Sequence, residues 1–143
     1  MTTPPKVDRA GIIPFYVNDD AEIMMMFMIP SDPEYGGSDF QIAKGKVDPG
    51  EQHEEAAIRE GAEELGLVQA NMIGEVHFLG KFLGRMHIYV VQVSSPTNFD
   101  KPHYETAQVG WLTNEGFQRI GRDLHKPIVD RADNYIIHRM LPR

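Results

Sequence analysis

The stretch Gly45-Lys46-Val47-Asp48-Pro49-Gly50-Glu51, followed after seven residues by Arg59-Glu60-Gly61-Ala62-Glu63-Glu64-Leu65-Gly66-Leu67, decides how this chain is read. Pro49-Gly50 marks a turn and Gly66 supplies a stop, so the spacing predicts a loop and then a helix over residues 51–65. At about 100° per residue, Glu60, Glu63 and Glu64 share a face, because positions i, i+3 and i+4 are neighbours. Ile58, Gly61, Ala62 and Leu65 fall on the other side as the expected core stripe. Small Ala56 and Ala57 border the acidic face and are expected to leave room there for ions and phosphate.

Glu60 and Glu64 repel each other, at a cost of about 0.2–0.5 kcal/mol on a bare helix. A hard divalent cation offsets this, since Mg²⁺ takes oxygen ligands and bridges carboxylates to phosphates. From composition alone a solvated acidic face is the simpler reading. Two features move against it. Arg59 lies on the flank, where it can pair with Glu55 or Glu63. Gly61 sits inside the helix at a cost of about 1 kcal/mol relative to Ala, which points to close packing of helix on sheet.

Working outward, Ala10–Val17 and Glu22–Ile29 suit strands around the turn Asn18-Asp19-Asp20, with Pro14 placing the first at an edge or bulge. The run Met24–Met28 reads as a buried strand. Ser31–Ser38 reads as a mobile loop and Phe40–Ala43 as a short strand. Glu75–Leu83 and Arg85–Ser94 read as strands turning at Gly84, and Ala107–Leu112 as another. Asn114–Ile120 is a short helix with Thr113 as N-cap. A longer helix is expected over Pro127–Met140, where Ile128, Ala132, Ile136 and Met140 repeat every four residues. Residues 1–7 read as a loose tail. The whole predicts an α+β or α-β-α sandwich.

The 143 residues fit one domain, 1–143, with room for a core. No apolar run is long enough to span a membrane, and the N-terminus lacks a signal-peptide pattern. With no cysteine, disulfides, thiolate metal sites and a cysteine nucleophile are excluded. A cytoplasmic protein is expected, as a monomer or homodimer. The net charge of −7 without a basic block argues against extended nucleic acid as partner. Small phosphorylated ligands remain open through bridging metals. The six histidines (53, 77, 87, 103, 125 and 138) show no metal-ligand spacing, and none is assigned to a site.

The quoted stretch resembles the Nudix box: G, five residues, E, seven residues, then R-E-U-x-E-E-x-G-U, with U bulky and apolar. Every fixed position is present. The departure is Gly61, where the family carries a bulky apolar residue. The resemblance implies a mixed sheet with the box loop and helix packed on it, and an enzyme that cuts a pyrophosphate bond in a nucleoside diphosphate linked to another group. It implies Glu60, Glu63 and Glu64 as ligands of Mg²⁺ or Mn²⁺, joined by the backbone carbonyl of Lys44. Glu60 and Glu64 become catalytic residues through that metal. Glu51 and Arg59 are implied to brace the loop, with Gly45 and Gly66 as structural members of the motif.

Many family members use an extra glutamate from a loop outside the box, as metal ligand or general base in catalysis. Glu105 is the candidate, because Tyr104-Glu105-Thr106-Ala107-Gln108-Val109-Gly110-Trp111-Leu112 resembles the family's acidic-then-Trp-Leu segment. A surface loop acid is the other reading. Ala43–Glu51 also resembles the loop of asymmetric dinucleoside tetraphosphate hydrolases, with Lys46 in place of a histidine. Lys44 and Lys46 would meet phosphate oxygens as point charges. Arg85 and Tyr89 complete the candidate substrate contacts, and Phe15, Tyr35, Phe40 and Tyr104 are further rings on which a base could stack. A dinucleoside polyphosphate is therefore favoured over nucleotide sugars, ADP-ribose, flavin or nicotinamide dinucleotides, and nucleoside triphosphates. Two alternatives stand beside it: a Nudix-fold module that senses a nucleotide without cleaving it, and an RNA cap pyrophosphohydrolase.

Overall fold

In the computed structural model, which describes residues 7–142, the continuous apolar runs become strands covered on both faces. Strand β1 (Arg9–Val17) shows why. Ala10 and Ile12 point to one side, among Ala56, Ala57 and Val91. Ile13 and Phe15 point to the other, among Phe117, Ile128 and Ala132. A strand buried on both faces loses the polar alternation of a half-solvated one. The same holds for β2 (Ile23–Pro30), where Met25, Met26, Phe27 and Met28 are all buried.

The remaining elements are β3 (Ala43–Lys46), α1 (His53–Leu65), β4 (Met72–Phe82), β5 (Met86–Val93), β6 (Thr106–Leu112), α2 (Asn114–Ile120) and α3 (Lys126–Tyr135). The mixed sheet runs β4-β5-β1-β2-β6, and β3 pairs with β1. Strand β1 is parallel to β5 and antiparallel to β2 and β3. Helix α1 packs on β1 and β3, while α2 and α3 cover the opposite face. This is the expected α-β-α sandwich.

Three readings change. Pro14 is not at an edge, because β1 is central. It falls where β1 changes partner, after Ile12 beside β3 and before Phe15 beside β2, and such a break tolerates a missing N–H. The strand expected at Phe40–Ala43 lies later, because pairing with Arg9–Ile12 selects residues 43–46, leaving Phe40 and Gln41 in isolated bridges. The last helix gives way to a π-helical turn over Ile136–Met140. The tail expected at residues 1–7 lies, apart from Val7, outside the described residues. Thr113 does cap α2, its side chain accepting the Gly116 N–H at 3.1 Å.

Helix α1 presents a different face from the expected one. Ala56, Ala57, Glu60, Gly61 and Leu65 are buried, whereas Ala62 is exposed and Ile58 only half-buried. Ala56 and Ala57 lie in the core and leave room for the sheet, not for ions. The glycine at 61 follows directly: a Cβ there would sit 2.7 Å from Ile12 Cγ2, so the helix rests on β1 more closely than an alanine allows. Gly66 ends the helix with φ 77°, its N–H bonding Ala62 O.

Candidate active site

Three segments converge beside the C-terminal half of α1. The first is β3. The Lys44 N–H donates to Glu64 Oε1 at 3.0 Å. In an extended strand the N–H and C=O of one residue share an edge, so the Lys44 carbonyl turns away from β1 toward the same carboxylates. At Gly45 the chain passes against the Glu60 carboxylate, and a Cβ there would collide with it. The second segment is α1 itself, which supplies Glu60, Glu63 and Glu64. The third is the loop before β6. The His103 N–H donates to Glu63 O and the Thr106 hydroxyl to Glu64 O, both at 2.8 Å. Those carbonyls lie in the last helical turn, where intrahelical partners run out. The Ser31 N–H holds Glu105 O at 2.9 Å. Glu105 thus stands close enough for its charge to act on Glu60 and Glu64.

Arg59 ties helix to loop. Its Nε and Nη2 donate to the two Glu51 oxygens at 2.8 and 3.0 Å, and Nη2 also donates to Lys46 O at 2.9 Å. The Glu51 carboxylate accepts the Asp48 N–H at 3.0 Å. The expected alternative partner, Glu55, instead accepts the Gln52 N–H at the helix start. Arg59 is also not held aside from the acids, because Nη1 donates to Glu60 at 3.0 Å and Glu63 at 3.3 Å. This guanidinium holds Glu51 down at about 2, chiefly through its hydrogen bond.

The other carboxylates move upward. Burial pushes Glu64 to about 7; the Lys44 N–H opposes the shift and the charge of Glu60 adds to it. Burial also raises Glu60, helped by Glu63 and opposed by Arg59. Two buried acids that resist ionising side by side mark a place where positive charge is short. Oxygen-only donors at such a place suit a hard divalent cation, so Glu60, Glu63, Glu64 and the Lys44 carbonyl can hold one.

These acids form one wall of a cleft of about 1490 Å³. Arg9, Lys44, Lys46 and Arg122 also line it, with His125 behind them. Burial lowers the Lys44 ammonium, partly offset by Glu64. It lowers His125 to about 3, assisted by the charges of Lys44 and Arg122. His125 is therefore neutral, and its Nδ1 accepts the Ile42 N–H at 3.1 Å. Tyr35 and Tyr104, 72% and 86% exposed, stand on the cleft's border.

Not every sequence candidate reaches the cleft. Tyr89 is buried under α1 with Ala56 and Ala57 and does not line it. As a middle residue of β5 on the α1 face, its ring is consumed by packing. Phe15 is likewise core, and Phe40 packs against Gly110. Arg85 borders the cleft, but its Nη1 is engaged by Asp8 at 2.8 Å. Arg9, Arg122 and His125 escaped the sequence reading because nothing local marks them. Arg122 arrives through the bond from its N–H to Phe40 O at 2.8 Å, a contact between distant loops. His53 and His87 meet around Asp8 although they have no ligand spacing in the sequence.

A sandwich with a carboxylate-bearing loop and helix facing basic side chains suits a hydrolase of phosphoric anhydride bonds. The NUDIX domain family model matches residues 6–132, and the chain belongs to the Nudix hydrolase family, enzymes that act on pyrophosphate bonds and generally need divalent cations. Solved structures agree on the fold. The C. elegans Ap4A hydrolase in a binary complex is 20% identical, with TM-score 0.73, covering 92% of this chain and 98% of that one. A Nudix hydrolase from M. smegmatis, RenU, is 14% identical at TM-score 0.75, covering 96% and 90%. The NUDIX domain of Shewanella oneidensis NrtR, solved with ADP ribose, is 11% identical at TM-score 0.68, covering 94% and 90%. No helix among the described residues is long and apolar enough to cross a membrane.

Proposed function

We propose that this enzyme hydrolyses a dinucleoside polyphosphate, releasing a nucleoside monophosphate and a second phosphorylated product. The observation that carries the reading is the pairing of an acidic and a basic wall in one cleft with two exposed tyrosines on its border. Its volume of about 1490 Å³ exceeds the roughly 300–1,000 Å³ common for smaller ligands. A chain of phosphates presents charge along its length and a base at each end. Lys44, Arg122 and Arg9 meet phosphate oxygens, Lys46 extends the basic edge, and Tyr35 and Tyr104 offer rings for the bases. The likeness to a hydrolase named for Ap4A supports the same class.

Glu60, Glu63, Glu64 and the Lys44 carbonyl fit Mg²⁺, with Mn²⁺ as the close substitute. A cation held there would supply charge neutralisation for the phosphates and lower the pKa of water. The protein's own part is placement. Arg59 and Glu51 fix the loop so that the Lys44 carbonyl and Glu64 keep their relation. The basic wall holds the phosphates against the acids, and Glu105 accepts the proton of the attacking water at its carboxylate.

The test is a panel of dinucleoside polyphosphates, nucleotide sugars, ADP-ribose, flavin dinucleotide and nucleoside triphosphates with Mg²⁺ or Mn²⁺, products identified. Dinucleoside polyphosphate should give the highest kcat/KM, reduced in Tyr35→Ala and Tyr104→Ala chiefly through KM. A higher kcat/KM for a nucleotide sugar or ADP-ribose overturns this substrate. Tight binding without turnover of any compound favours the sensing module.

A further inference from the structure

Asp8, His53 and His87 come from three elements. Asp8 immediately precedes β1, His53 opens α1, and His87 is the second residue of β5. One ligand atom from each lies within 4.8 Å of the other two. Asp8 Oδ2 stands 2.9 Å from His53 Nε2 and 3.8 Å from His87 Nε2. The imidazoles stack with centroids 3.8 Å apart, tilted 26°.

Hydrogen bonding alone leaves this cluster incomplete. One proton joins Asp8 to His53, but His87 Nε2 is buried without a partner, the only such side-chain atom among the described residues. Buried polar atoms are ordinarily paired. Burial lowers the His87 pKa, and His53 adds to the shift. The other Asp8 oxygen is held by Arg85 Nη1 at 2.8 Å, which fixes the carboxylate as an outer partner fixes a ligand.

We propose that Asp8, His53 and His87 form a second cation site, separate from the carboxylate cleft and selective for a late first-row ion, Zn²⁺ foremost. Two imidazoles and one carboxylate suit Zn²⁺ and its neighbours, whereas Mg²⁺ prefers oxygen alone. Ligands about 2.0–2.1 Å from a tetrahedral centre lie about 3.4 Å from one another, between the 2.9 and 3.8 Å seen here. The side chains are partly exposed, which leaves a fourth position to water. Asp8 O also accepts the Val47 N–H at 3.0 Å, so the ion would pin the start of β1 to the box loop and to the first turn of α1.

The experiment is calorimetric titration of Zn²⁺ into the full chain in excess Mg²⁺, comparing wild type, Asp8→Asn, His53→Ala and the double variant Glu60→Gln/Glu64→Gln, with circular dichroism as the check of fold. His53 and Asp8 are chosen because both are partly exposed, so the fold should tolerate their replacement. Wild type and the glutamine double variant should bind Zn²⁺ alike, while Asp8→Asn and His53→Ala lose at least about 10-fold in affinity. Absence of Zn²⁺ binding in wild type, wild-type affinity in either Asp8→Asn or His53→Ala, or loss in the glutamine variant alone overturns the site.

Discussion

The two ends of α1 handle charge in opposite ways. At its C-terminal half, Glu60 is buried, Glu64 is half-buried, and both are pushed toward the protonated state. At its start, Asp8 is held at about 2 by hydrogen bonds from His53 and Arg85. Arg59 lies between them, fully engaged with Glu51 yet reaching Glu60 and Glu63. At the starting end Asp8 already has two basic neighbours in place. The other is left short of positive charge, and that shortage is what a divalent cation can satisfy.

The sharpest way to break this contrast is Glu64→Gln. It keeps the shape of a side chain at the centre of the acidic end and removes its charge. Turnover should fall by about 10³-fold with the fold retained, comparable to losing a key group that stabilises a transition state. Near wild-type kcat in a folded variant would sink the assignment.

Arg59→Ala attacks the link between the ends. It strands Glu51 and Glu60, whose side chains are 16% and 11% exposed. A broken buried pair costs about 3–5 kcal/mol, and the partial exposure of Arg59 lowers the expectation to about 2–3 kcal/mol. Urea unfolding measures it; a loss below about 0.5 kcal/mol would mean the brace contributes nothing to stability.

Titration offers a gentler test. His125 is near 3 in the fold against an ordinary 6.5, so the unfolded chain binds more protons and stability falls as pH drops from 6.5 toward 3. Glu64 is near 7 against 4.5, so the folded chain binds more protons and stability rises as pH drops from 7 toward 4.5. Each slope is at most about 1.4 kcal/mol per pH unit. Between pH 6.5 and 5, in chelator, they oppose each other and the wild-type urea midpoint should change little. His125→Asn should gain stability on acidification, and Glu64→Gln should lose it. Equal slopes in all three proteins would contradict this balance.

The smallest effect belongs to the middle of the helix. Gly61→Ala gains about 1 kcal/mol of helix propensity but forces a methyl toward Ile12 Cγ2, 2.7 Å from the built position. Overpacking of about 1–3 kcal/mol should leave a net loss of about 1 kcal/mol in thermal or urea unfolding. A net gain would show that Ile12 moves aside easily.

The same contrast explains what could be read from sequence. Glu60, Glu63 and Glu64 lie within five residues, and helical geometry alone brings them together. Gly61 announced close packing because its cost is local. The order of strands was legible from apolar runs and turns. The face of the helix was not: periodicity set Gly61 and Leu65 inward correctly, but β3 lying beside α1 turned Glu60 inward as well and left Ala62 outside. Asp8, His53 and His87, like Lys44 and Arg122, are joined only by strand pairing and loop contacts between distant parts of the chain. No spacing rule reaches across such separations.

One detail bears on how such an enzyme changes its preferences over time. The loop carrying Tyr104 and Glu105 is fastened mainly through main-chain atoms: His103 N–H to Glu63 O, Ser31 N–H to Glu105 O, and the Ser31 hydroxyl to Tyr104 O. Of the loop's own residues among those described, Thr106 alone spends a side chain on the attachment. Positions 103 to 105 can thus exchange side chains while the loop stays mounted on the helix end. A library randomised at positions 103 and 104, with the proton acceptor Glu105 and the anchor Thr106 kept, should yield mostly folded proteins that differ in substrate choice.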